Sequence, residues 1–199
     1  MKNFIIKLAL AIGSFAVYAL LFNCKFAVIA MVTIAVHELG HLWMMREFDI
    51  PNKGFYFVPF IGAVSVGKGY HRTLSEKAWV SLMGPFWGYV LSVVLCIVAG
   101  ITGNHTLAIA CVYNSMLTAF NLLPFSISDG GSILKCIMAK DDYYATRMRN
   151  VYKLPSSVEL LTIMERRFFA LTSVSVFVIC IFMAFSSGIS LDSFLRFLK

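Results

Sequence analysis

Blocks of about twenty apolar residues, separated by short basic loops, run through most of this sequence. A helical block of that length matches the thickness of a bilayer's hydrocarbon core, where every backbone polar group must be satisfied internally. Hydrophobic residues make up 59% of the chain and charged residues 14%, whereas soluble domains are about half apolar and about a quarter charged. The pattern predicts an all-α polytopic membrane protein, integral and multi-pass, with about five transmembrane helices. They are expected near residues 3–22, 26–45, 78–101, 105–124 and 168–185. The first block is longer than the apolar core of a secretory signal, and no small-residue cleavage site follows it, so it is expected to remain as a membrane helix.

The formal net charge is +7. The positive residues cluster in two loops, one holding Arg46, Lys53, Lys68, Arg72 and Lys77 and the other Lys135, Lys140, Arg147, Arg149, Lys153, Arg166 and Arg167. Such loops face the cytoplasm and meet anionic lipid. The turn at 102–104 is uncharged and is expected outside. Membrane lipid is therefore the expected partner of the charge. No nucleic-acid-reading motif is present, so nucleic acid is not. The five cysteines form no C-x-x-C pair, which disfavours a disulfide framework or a cysteine zinc knuckle. Residues 54–69, rich in aromatic, β-branched and glycine residues, are too short to span and predict a short β-hairpin or re-entrant loop. Residues 141–167 predict a polar cytoplasmic connector, with Arg166 and Arg167 meeting the membrane.

Inside the second apolar block lies His37-Glu38-Leu39-Gly40-His41. Residues four apart share a helix face, so both imidazoles can reach one metal ion while Glu38 stands beside it. Ionisable groups at membrane depth cost several kcal/mol and mark function. Zinc bound there would bring the pKa of water to about 7, and Glu38 is placed to act as general base. A catalytic zinc takes three protein ligands. Of the ten acids, only Glu38 and Asp129 fall near membrane depth, so Asp129 is the expected third ligand. Its rival role is a turn aspartate before glycine. Pro124 and Gly130-Gly131 predict a broken helix around a polar cavity. Asn121 can contact the scissile carbonyl, its oxyanion or substrate backbone, or equally make a helix–helix hydrogen bond. Gly84-Pro85 is sufficiently explained as a packing kink. His71 and His105 are read as non-ligands.

Taken together, His37–His41, the hairpin near Phe60-Ile61-Gly62, Gly84-Pro85 and Asn121-x-x-Pro124-x-x-x-x-Asp129-Gly130 resemble the site-2 protease family of intramembrane zinc metalloproteases, peptidase family M50. The resemblance implies one Zn2+ on His37, His41 and Asp129, with Glu38 as base and Asn121 handling substrate. It also implies transmembrane protein substrates, regulated intramembrane proteolysis, and a hairpin strand that pairs with unwound substrate. A prokaryotic cell membrane, with the site toward the cytoplasm, is the expected setting. Two departures from the family pattern stand out: Gly88 in place of an asparagine, and Ser126 and Ser128 before Asp-Gly. The expected division is an N-terminal helix (1–25), a three-helix catalytic core (26–139), and a connector with a last transmembrane helix (140–199). No sensing domain is evident, so regulation is expected from a membrane partner, an oligomer or substrate trimming. The main rival reading is a non-catalytic zinc-holding membrane protein that binds clients, which the intact Glu38 disfavours.

Overall fold

A computed structural model describes residues 2–58, 62–67, 71, 73–139 and 161–198. Most of the expected connector (140–160) and the hairpin tip (59–61) lie outside the described residues. Helices α1 (Lys2–Leu21) and α2 (Cys24–Glu47) are followed by strands β1 (Asn52–Val58) and β2 (Gly62–Gly67). Then come α3 (Leu74–Thr102), α4 (His105–Leu122), α5 (Asp129–Met138), α6 (Ile163–Ser186) and α7 (Leu191–Leu198).

The helix starts follow local chemistry. An Ncap side-chain oxygen satisfies one of the orphan N–H groups of the first turn. Asn23 accepts from Phe26 N at 2.9 Å, Thr73 from Glu76 N at 3.0 Å, Asn104 from Thr106 N at 2.9 Å and Ser128 from Gly131 N at 3.1 Å. Thr162 and Glu165 form a capping box that opens α6. This box starts α6 at residue 163, a full turn before the apolar run that begins at 168.

Among the described residues, four helices are long and apolar enough to cross a membrane: α1, α2, α3 and α6. Their outward faces are apolar, with Leu20 86% and Met164 82% exposed, which suits lipid rather than water. The fifth expected span, α4, differs. It has 18 residues, and Asn114, Ser115 and Thr118 lie buried on it. These polar groups dilute its hydropathy because they bind α3 instead of facing lipid. Asn114 Nδ2 donates to Gly88 O at 2.7 Å and to Ser92 Oγ at 2.6 Å, and Ser115 Oγ donates to Ser92 Oγ at 3.0 Å. The absent side chain at Gly88 leaves room for Thr118, whose Oγ1 would meet any Cβ there. Asn114→Ala should therefore lower stability by about 1–2 kcal/mol, read as an earlier midpoint in detergent-based unfolding.

Helix α3 is the hub, packing on α2, α4, α5 and α6. The largest buried cluster sits between α3, α4, α5 and α6 and contains Leu74, Leu82, Leu122, Ile133 and Phe169. Arg166, expected to be a membrane-anchoring charge, is instead half-buried and closes α5. Its guanidinium donates to Ile137 O and Ala139 O at 3.0 Å each and to Leu161 O at 2.9 Å. Cations suit the carbonyl end of a helix, and Arg166 fixes α6 to α5.

The hairpin is antiparallel, pairing Phe55 with Ser65 and Phe57 with Ala63. Gly54 takes φ 78°, a conformation that favours glycine, at the irregularity between Asn52 and Phe55. Lys7 of α1 donates to Lys53 O and lies over the Tyr56 ring. That contact ties the start of α1 to β1. At the other end, Asn23 Nδ2 donates to Phe197 O, joining the α1–α2 turn to α7.

Candidate metal centre

The buried stripe of α2 runs Phe26, Ala30, Thr33, His37 and His41, repeating every three or four residues. The face that packs on the bundle thus turns from apolar to ionisable within one helix. His37, Glu38 and His41 are 6%, 7% and 8% exposed, so the three are nearly removed from solvent together.

Asp129 arrives from the other half of the sequence. α4 ends at Leu122, and the segment 123–128 folds back before α5 begins at Asp129. Ser128 organises this reversal. Its hydroxyl faces Leu123 O and Phe125 O while accepting from Gly131 N. Gly130 and Gly131 are pressed against the carbonyls of Leu122 and Phe125, where a Cβ would not fit. The break anticipated from Pro124 and the glycine pair is therefore a tight backbone contact that sets the depth of residue 129.

Three ligand atoms converge. His37 Nε2 lies 3.1 Å from Asp129 Oδ2, His41 Nε2 lies 3.4 Å from the same oxygen, and the two Nε2 atoms are 3.1 Å apart. Among the described residues, these three form the only cluster with metal-ligand geometry. Donors about 2.0–2.1 Å from a tetrahedral zinc would be separated from one another by about 3.3 Å. The observed triangle has that size, so the residues fit the ion. His41 is also oriented from behind: its Nδ1–H donates to Val80 O at 2.7 Å. That bond leaves Nε2 as the lone-pair nitrogen turned toward Asp129.

Helix α3 supplies the floor. A Cβ at Gly84 would lie 2.9 Å from His37 Nε2 and closer still to His41 Nε2. A Cβ at Gly40 would meet the Met83 backbone, 2.9 Å from its carbonyl carbon. The two glycines let α2 and α3 touch backbone to backbone at the height of the imidazoles. Gly84 is thus part of the site, not merely of a kink; the signal was a glycine inside a long helix, where it costs about 1 kcal/mol against alanine. Pro85, lacking N–H, leaves the Ser81 carbonyl without its usual helical partner beside the same cavity.

Two cavities meet at His37 and Glu38. One, about 660 Å³, contains the three candidate ligands together with His71, Lys77 and Ser81. The other, about 400 Å³, is bordered by Tyr18, Phe26 and Tyr113. Ala63 of β2 and Asn121 line both. Asn121 Nδ2 donates to Leu117 O at 3.0 Å within its own helix, not across to a neighbour. His71, set aside in the sequence reading, lines the larger cavity, outside the ligand cluster. Burial, with Lys77 as a smaller influence, pushes its pKa down to about 4, so it is neutral near pH 7.

Residues 25–105 match the model of Peptidase family M50. The matched segment carries both histidines, Glu38, the hairpin and Gly84, and ends before Asp129. A zinc metalloprotease of Methanocaldococcus jannaschii is 24% identical over 184 residues, covering 90% of this chain and 52% of its own length. Stage IV sporulation protein FB of Bacillus subtilis is 30% identical over 112 residues, covering 55% of this chain and 39% of its own. The chain thus spans about half, or less, of the length of these curated relatives. With four helices among the described residues apolar and long enough to span, the chain is an integral membrane protein of mostly helical fold, similar over residues 25–105 to Peptidase family M50.

Proposed function

We propose that this chain is an intramembrane zinc metalloprotease of the site-2 type, hydrolysing peptide bonds of transmembrane substrates. The observation that carries the reading is the ligand triangle of His37, His41 and Asp129, built with the spacing zinc requires, beside Glu38 in a cavity between apolar helices. The zinc metalloprotease name of the Methanocaldococcus relative supports the choice of metal and of reaction.

Bound zinc supplies Lewis acidity, acidifying water and polarising a carbonyl. Glu38 takes a proton from the attacking water and delivers it to the departing amine, so that the C–N bond breaks into a carboxylic acid and an amine. Asn121, lining both cavities, keeps its Oδ1 and a second N–H for the substrate backbone. A helix hides its peptide bonds, and Ala63 on β2 lies where an unwound strand would pass.

The site opens toward the cytoplasm. His41 is near the end of α2 that carries Arg46, and Asp129 begins the short helix that carries Lys135. Relatives from an archaeon and a bacterium support a prokaryotic cell membrane.

The test is chelation. The purified chain in detergent should cut a labelled model transmembrane peptide, lose that activity with 1,10-phenanthroline, and regain it on stoichiometric zinc. Cutting that persists after the metal has been stripped would overturn the reading.

A further inference from the structure

Buried polar atoms nearly always have a partner, and one left without it costs about 1–3 kcal/mol. Among the described residues, four side-chain atoms break the rule: Ser14 Oγ, Ser173 Oγ, His37 Nδ1 and His71 Nδ1. The serines lie in α1 and α6, away from the metal cavity. His37 is occupied at its other nitrogen by the ligand triangle. His71 alone is an orphan that lines the cavity and has no place in the ligand cluster.

We propose that His71 is a substrate-holding residue: its Nδ1 hydrogen-bonds the backbone of the peptide seated across the metal. The inference rests on the protease reading and deepens it. The nitrogen is buried and partnerless in a space that also contains His37, His41, Asp129 and Glu38. A peptide entering that space brings both a donor and an acceptor every residue, so it satisfies the orphan whichever tautomer is present. The ring is uncharged at neutral pH, which suits a neutral amide partner. His71 lies just before α3, in the connection that follows the hairpin, whereas the ligands come from α2 and α5. It therefore grips the peptide from a different element than the one holding the metal.

The probes are a peptidyl hydroxamate, which places a peptide backbone in the cavity, and acetohydroxamate, which has none. Both are titrated onto the full-length, zinc-loaded chain in detergent micelles. His71→Leu should weaken the peptidyl probe by about 5- to 20-fold, the worth of one buried hydrogen bond. Acetohydroxamate affinity and zinc content should stay at the parent's level. His71→Asn, whose amide sits near the position of Nδ1, should recover most of the loss. Unchanged peptidyl affinity in His71→Leu overturns the proposal. So does a parallel loss of acetohydroxamate binding or zinc, which would make His71 a support of the metal site. A zinc-loaded parent that binds neither hydroxamate takes down the protease reading itself, and this inference with it.

Discussion

Gly84→Ala should leave a helical, membrane-embedded protein that no longer retains zinc. The new methyl group would sit 2.9 Å from His37 Nε2 and nearer to His41 Nε2 and Cε1, in the space between the donor atoms and α3. Neither helix can retreat. Gly40 already presses α2 against the Met83 backbone and Trp87, and close-packed interiors transmit such strain rather than absorb it. The imidazoles must turn instead. For His41 that breaks the bond to Val80 O, which holds its ring in place at 2.7 Å. Loss of an orienting partner alone costs about 10- to 100-fold in metal affinity, and here the ligand nitrogens are displaced as well. Zinc affinity should fall by at least about 100-fold, read as metal per chain after dialysis against a calibrated chelator, with cleavage lost in proportion. Gly100→Ala is the matched control: it lies in the same helix, and its Cβ would meet nothing within 4 Å. Stoichiometric zinc of normal affinity in Gly84→Ala would show that α3 does not form the floor of the site.

Gly84 also shows where sequence reasoning runs short. Spacing four apart on a helix puts two histidines on one face whatever surrounds them, so His37 and His41 were legible at once. Asp129 was legible by elimination, because membrane depth leaves few places for an acid. The apolar blocks gave α1, α2, α3 and α6 within a turn or so, and the glycine-rich aromatic segment gave the hairpin. What escaped depends on long-range contact. Gly84 and Gly40 matter because two helices cross there, and neither sequence position names its partner. Arg166 read as a lipid anchor because its partners, the carbonyls of Ile137 and Ala139, lie across 140–160 in the chain. α4 read as an ordinary span, although Asn114, Ser115 and Thr118 recur on one face and mark a side that binds α3. Nothing around His71 in the sequence signals that it lines the same cavity as the candidate ligands.

Glu38→Gln and Asp129→Ala should separate the chemistry from the holding of the metal. Glu38 is next to His37 in the chain, 7% exposed, and lines both cavities, yet the ligand triangle closes without it. Glutamine keeps the shape of the side chain but cannot accept the proton from water. General-base catalysis contributes about 10²- to 10⁴-fold, so Glu38→Gln should cut a model transmembrane peptide at about 10⁻³ of the parent rate while holding one zinc per chain. Asp129→Ala acts on the other term. It removes the carboxylate whose Oδ2 lies 3.1 Å and 3.4 Å from the two Nε2 atoms, leaving two imidazole donors 3.1 Å apart and one charge fewer to offset the dication. Zinc should then be lost under dialysis conditions that the parent and Glu38→Gln withstand, and activity should disappear with it. Measuring metal and cleavage on the same samples makes the pattern decisive. Parent-level cutting by Glu38→Gln would remove it as the base, and equal zinc in Asp129→Ala would mean that the third ligand lies elsewhere.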